Sequence, residues 1–240
     1  MSDTYLSDTI IIGGPNRVNI GENYREMVIG KARYIPEVVL RRKKPVKKIL
    51  FLSANPHVVT PHYFAEEVRS ISAGLLLADQ QDRWEIQPHM TSQLRDLRRA
   101  LLEHEPHIVH FIGQGEANGL FVEESLGIPL LISANALAGS FELCADTVEC
   151  VILSAAYSEE QAQAICQHID YVIGIPSLIK NKTAAVFTAA FYHALGVGKT
   201  IEEAFESALI ASSQELSYMP HHPIPILKRG TASPLPRSPL

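Results

Sequence analysis

Three histidines recur at three-residue intervals, His104, His107 and His110, and three cysteines follow, Cys144, Cys150 and Cys166. Imidazoles and thiolates bind transition metals, and they also serve as base and nucleophile in peptide-bond cleavage. Neither set has the spacing for such work. Pro106 interrupts the helix that would align the three imidazoles, so no metal centre is expected. The cysteines form no even framework and no metal-ligand spacing. Cys150 and Cys166 lie in apolar-rich sequence and read as core residues of a protein from a reducing compartment. The glycines of Gly113-Gln114-Gly115 lack the lysine and the spacing of a phosphate-binding loop. Ser154-Ala155-Ala156-Tyr157-Ser158 brings two serine hydroxyls without an evident base, and Ser158 reads as a helix cap. His110 lies inside an apolar run and reads as a core or helix-facing residue. Cys150 sits at the opposite end of the strand that leads to Ala156, on the order of 20 Å away at about 3.3 Å per residue. No cofactor is expected.

Two stretches must position whatever chemistry there is, Val109 to Gly115 and Val151 to Ser158. Each starts as an apolar, β-rich run and ends in small or polar residues. That is the pattern of a buried parallel strand delivering a loop to its carboxyl edge, where function gathers in open α/β sheets. Around them, strands are expected over 49–54, 84–88, 107–112, 148–153 and 171–175. Residues 224–227 could add an edge strand, since Pro223 and Pro225 suit an edge. Thr60 caps a helix opened by Pro61, with Phe64, Val68, Ile71 and Leu75 at helical spacing. Thr91 or Ser92 caps a second helix that ends before Pro106, and Ser133 starts a short one. Residues 119–122 and 128–132 flank Glu123-Glu124-Ser125-Leu126-Gly127, a hairpin that breaks the strand–helix alternation. Helices follow over 181–196 and 201–215, the latter capped by Thr200 with Glu202 and Glu203 in its first turn. The fold class is α/β, with about six mostly parallel strands and helices on both faces.

The remaining composition sets limits. Of the 240 residues 46% are hydrophobic and 20% charged, which suits one compact domain with appendages. Net charge −5 gives no reason to expect nucleic-acid or acidic-membrane binding. The stretch 183–197 is too short and too polar for a membrane span and reads as a buried helix, and a cytoplasmic location is expected. Residues 1–40 hold three short β-branched pieces closed by glycines, too small to bury a core alone. They would dock, stay mobile or pair with a second copy, giving a homo-oligomer. Six of the 21 basic residues fall within 41–48, with 41–45 read as a linker. The main domain is expected over 46–229 and a Pro/Ser-rich tail over 230–240.

The same stretches resemble the CHAT family, the caspase- and separase-like bacterial cysteine peptidases. Ile49-Leu50-Phe51-Leu52-Ser53-Ala54-Asn55-Pro56 is similar to the family's opening strand and loop, and Glu67-Val68-Arg69-Ser70-Ile71 to its first helix. Pro106-His107-Ile108-Val109-His110-Phe111 is similar to the approach to the catalytic histidine, with Gly119-Leu120 after it. Val151-Ile152-Leu153 and Tyr157-Ser158 flank the nucleophile position. Tyr171-Val172-Ile173-Gly174 and residues 187–195 are similar to the fifth strand and the helix behind it. The resemblance covers 46–227 and implies a caspase-like three-layer sandwich whose third and fourth strands lie side by side.

In that family the first motif ends Gly-His-Gly and the second reads Asn-Ala-Cys-Tyr-Ser. Here Gln114 stands at the histidine position, Ala156 at the cysteine position and Ser154 at the asparagine position. The vestigial cleft would comprise Gly113, Gln114, Gly115, Ser154, Ala155, Ala156 and Tyr157. An amide does not titrate near neutral pH, and alanine carries no nucleophile. The resemblance therefore implies an inactive pseudo-peptidase working through protein contacts in bacterial signalling or defence. Its partner would be a separate NTPase, a repeat-containing sensor or an active peptidase. The alternatives are a cysteine peptidase whose catalytic residues were altered, and a small-ligand or nucleotide-binding domain using the vacated cleft. The Cα atoms of Gln114 and Ala156 are expected within about 10 Å, since adjacent strands lie roughly 4.8 Å apart.

Overall fold

Runs of Ile, Leu, Val and Phe without polar interruption form the centre of a six-stranded sheet, because both faces of those strands must be covered. A computed structural model describes residues 46–54, 61–78, 83–90, 93–113, 115–116, 119–123, 129–154, 159–176, 181–217 and 224–230. Contacts divide the chain into Met1–Lys44 and Pro45–Leu240. The expected small strands of 1–40, the linker 41–45 and the tail 231–240 lie outside the described residues, as do the caps proposed at Thr60, Thr91, Ser92 and Ser158.

The large sheet comprises β1 (Lys47–Ala54), β2 (Trp84–Met90), β3 (Ile108–Gly113), β7 (Cys150–Ser154), β8 (Tyr171–Gly174) and β9 (Ile226–Arg229), in the order β2-β1-β3-β7-β8-β9. All neighbours run parallel except β9, which returns antiparallel along β8. The edge strand was expected over 224–227 and sits two residues later. Pro225 has no N–H to give to the ladder, so regular pairing starts at Ile226, opposite Gly174. A second sheet, order β4-β5-β6, holds β4 (Gly115–Glu116) and the expected hairpin of β5 (Gly119–Glu123) and β6 (Pro129–Ser133).

Alternation along the strands divides the core in two. Leu50, Leu52, Val109, Phe111, Val151 and Leu153 face α2 (Leu94–His104), α3 (Ala134–Glu142) and α4 (Glu159–Ile165). Ile49, Phe51, Ile108, Ile112, Cys150 and Ile152 face α1 (Pro61–Leu76), α5 (Asn181–Gly196) and α6 (Ile201–Ser217). Fully burying one such side chain stabilises the fold by about 1.5–3 kcal/mol. The result is a three-layer sandwich, as the sequence pattern implies.

Local signals explain the element ends. Ser133 caps α3 by accepting a hydrogen bond from the Ala136 N–H at 3.3 Å. Thr200 and Glu203 form a reciprocal capping box at the start of α6, with hydrogen bonds of 3.2 and 3.0 Å. α2 is capped instead at Gln93, whose side chain makes no capping hydrogen bond. It stops at Glu105, which takes a left-handed conformation (φ 45°) because the residue before Pro106 is barred from continuing a helix. α5 is the buried helix expected over 183–197, and among the described residues no helix is long and apolar enough to cross a membrane.

Candidate functional site

β3 and β7 lie side by side and in parallel register, from Ile108 opposite Cys150 to Ile112 opposite Ser154. β1 flanks β3 on the other side, with Ser53 opposite Ile112 and Ala54 opposite Gly113. Ser53, Ile112 and Ser154 thus form one row across three strands at the carboxyl edge. Gly113 ends β3 and Gly115 begins β4, so position 114 is the single residue between the large sheet and the small one. Ser154 ends β7, and positions 155–158 connect it to α4. Two loops therefore leave the same edge from strands about 4.8 Å apart, as needed to bring together one side chain from each. Gln114, Ala155, Ala156, Tyr157 and Ser158 themselves, and the expected Gln114–Ala156 separation, lie outside the described residues.

Beneath this edge is a buried polar group that the sequence assigned to the core. His110 is 0% exposed, stacks with Tyr192 and tilts against Phe51 at a centroid distance of 5.3 Å. Its Nδ1 shares a 3.0 Å hydrogen bond with the Tyr192 hydroxyl, and its Nε2 has no hydrogen-bond partner among the described residues. Burial pushes the His110 pKa down to about 3. A base so weak takes up almost no proton near neutrality, so His110 is unsuited to general-base work there. The Tyr192 hydroxyl is held well above its ordinary value, mainly by burial, with Cys150 and Glu67 pushing the same way. Ser53, 1% exposed on the same sheet face, also leaves its Oγ without a hydrogen-bond partner among the described residues.

The thiols are poorly suited to nucleophilic attack. Cys150 is fully buried at the opposite end of β7, and burial, then Glu149 and Cys166, push it well up. Cys144 is pushed up to about 12 by burial and then by Asp146, and burial raises Cys166. All three stay protonated at neutral pH, whereas nucleophilic attack requires the thiolate.

His107 and His104 both engage Lys48. His107 Nδ1 accepts the Lys48 backbone N–H at 3.2 Å, and the His104 carbonyl accepts from Lys48 Nζ at 3.0 Å. Among the described residues no three His, Cys, Asp or Glu side chains stand together as metal ligands. Two members of the basic run are likewise engaged in the domain, since Lys47 also pairs with Glu149 at 2.7 Å. Ser53 and Tyr192 are the site neighbours that sequence reasoning missed. The alternation that buries Phe51 also places Ser53 on its face, and that signal was available.

Over 173 residues, 69% of the chain, the sequence is 30% identical to a Roc-COR-CHAT protease from an unknown prokaryotic organism. The match spans 16% of that protein's length. No protein-family profile matches the chain. Among solved structures, the fold is similar to an inactive zymogen C11 protease from Parabacteroides distasonis, with TM-score 0.44 and 14% identity over 75% of this chain and 60% of that one. A secreted C11 cysteine protease from Bacteroides thetaiotaomicron is similar with TM-score 0.37 and 11% identity over 54% and 52% of the two chains. Pyridoxal kinase from Staphylococcus aureus in complex with ADP gives the same TM-score, 0.37, at 9% identity over 77% of this chain and 99% of that one. Scores this low do not separate one doubly wound fold from another. The chain resembles the CHAT family in sequence, and its described part folds as a three-layer α/β domain around a mostly parallel six-stranded sheet.

Proposed function

We propose that this CHAT-like domain is a pseudo-peptidase, a regulatory or interaction component of a bacterial signalling or defence assembly. The observation that carries the reading is the pair Gln114 and Ala156, which stand where the resemblance places the base and the nucleophile. The strands that lead to these two positions, β3 and β7, are adjacent and end at one edge. A sheet kept intact around a lost catalytic pair fits a role in binding, because losing both members of such a unit removes the chemistry and leaves the recognition surface. The weak base His110 and the protonated thiols support the same reading. The partner is a protein, of the NTPase, repeat-containing sensor or active-peptidase kind.

Restoration tests the reading. Ala156→Cys alone supplies a thiol with an ordinary pKa near 8.5, of which only a few per cent is thiolate at neutral pH. Gln114→His alone supplies a base with nothing to activate. The double variant holds both groups, and its cleavage of a peptide library is expected to exceed the product of the single effects. Equal cleavage by Ala156→Cys and the double variant would contradict the assignment of Gln114 to the position of the base.

A further inference from the structure

A cavity of about 360 Å³ opens at the opposite, amino-terminal edge of the sheet. Trp84, the first residue of β2, and Tyr171, the first of β8, line it together with Leu195 and Ile201 from either side of the turn between α5 and α6. Three large apolar side chains stand exposed at this edge, Val46 at 37%, Leu77 at 80% and Val197 at 41%. Val46 immediately precedes lining Lys47, and Val197 lies between lining Leu195 and Gly198. Leu77 follows α1, whose end meets the end of α5 so closely that a Cβ added at Gly196 would lie 2.6 Å from the Ala78 Cβ. We propose that this edge docks a protein partner, one of whose uncharged aromatic side chains, of the phenylalanine kind, enters the cavity as an anchor. The inference rests on the proposed function only for the partner's being a protein, and it assigns the contact to the edge opposite the vestigial cleft.

The charges of the cavity make an uncharged anchor the better occupant, because each is already answered. Lys47 pairs with Glu149 at 2.7 Å, and Lys199 with Glu203 at 3.4 Å. Glu202 accepts from the Tyr171 hydroxyl at 2.5 Å and lies 3.5 Å from Arg229. Arg83 is engaged as well. A charged ligand, of either sign, has to separate one of these pairs and leave its other member uncompensated in a partly buried place. An uncharged side chain covers the pairs and leaves them made. The half-buried indole of Trp84 gives a flat wall, on which an aromatic ring gains more than its buried area alone supplies. The exposed rim separates a protein from a free small molecule. A molecule confined to the cavity leaves Val46, Leu77 and Val197 in water, whereas a protein surface seated over it covers them. An anchor in a pocket, ringed by contacts that exclude water, is the form that interface hot spots take.

Trp84 is the chain's single tryptophan, so its emission reports on this cavity. The full chain is titrated with the capped peptide acetyl-Ser-Ala-Phe-Ala-Ser-amide, and separately with the same peptide carrying Glu or Lys in place of Phe. The Phe peptide is expected to change the emission saturably with half-saturation at about 1 mM, and each charged peptide to bind about tenfold or more weakly. Replacing Leu77→Ser and Val197→Ser together removes apolar rim at exposed positions without adding charge. With an unchanged far-UV spectrum, this double variant is expected to bind the Phe peptide about fivefold more weakly and N-acetyl-phenylalaninamide, which has the anchor without flanks, about as before. No saturable response to the Phe peptide, or equal binding of the charged peptides, would overturn the assignment. So would an equal loss of both probes by the double variant, which marks a small-molecule site, or no loss of either. A chain that sediments as a dimer, and as a monomer once both rim residues are serine, would make a second copy the occupant and overturn it likewise. Gln114 and Ala156 are unaltered throughout, so these outcomes are separate from those of the peptidase restoration.

Discussion

Buried His110 keeps one hydrogen bond, to Tyr192, and loses the hydration that would stabilise its charged form, which is why its pKa falls from 6.5 to about 3. Between those values the unfolded chain binds a proton that the folded chain refuses. Stability from this group is therefore complete above about pH 6.5 and is lost as pH falls toward 3, at up to about 1.4 kcal/mol per pH unit. Nearby Tyr192 and Cys150 stay protonated across that window, because burial raises both. Comparing the wild type with His110→Gln isolates the imidazole. The variant is expected to be less stable at pH 7 by roughly 1–3 kcal/mol, through poorer satisfaction of the Tyr192 hydroxyl. Its deficit should shrink by about 2 kcal/mol at pH 5, where the wild type has begun to lose the contribution of the neutral imidazole. Urea unfolding at the two pH values measures this, and parallel pH curves would contradict the assignment.

The helices over the His110 face are set by how closely they approach one another. Gly74 of α1 meets α5 so tightly that an added Cβ would lie 2.8 Å from the Ala189 carbonyl oxygen. Alanine would favour α1 by about 1 kcal/mol through helix propensity. Against that, backbone must move to admit it, and overpacking costs about 1–3 kcal/mol. The second effect wins, because a carbonyl within a helix cannot swing aside as a side-chain tip can. Gly74→Ala is expected to lower the melting temperature by a few degrees, and a rise would show that α1 and α5 separate at little cost. The existence of the elements was legible in the sequence, since uninterrupted runs such as Ile49 to Leu52 allow few alternatives to a buried strand. Their ends were less so. Pro225 moved the start of β9, and α2 began at Gln93 without a side-chain hydrogen bond to mark it. The two-residue β4 has no pattern of its own and exists only because β5 pairs with it.

Across the whole molecule, the carboxyl edge was visible in advance because two strands of the same character end in small-residue loops. The residues around it depended on tertiary contact. Tyr192 lies 82 positions from His110, and no local period connects them. The amino-edge cavity is assembled from the starts of several strands and from a turn, so no single stretch announces it. The central claim is that the carboxyl edge no longer cleaves peptides. The most direct measurement treats the unmodified full chain with a thiol-reactive peptide probe and a broad peptide library, read by mass spectrometry. The account predicts no covalent adduct and no cleavage product, since Ala156 has no nucleophile, Gln114 has no titrating group and the three described thiols are buried and protonated. Cleavage of the library, or peptide-dependent labelling of the unmodified chain, would contradict it.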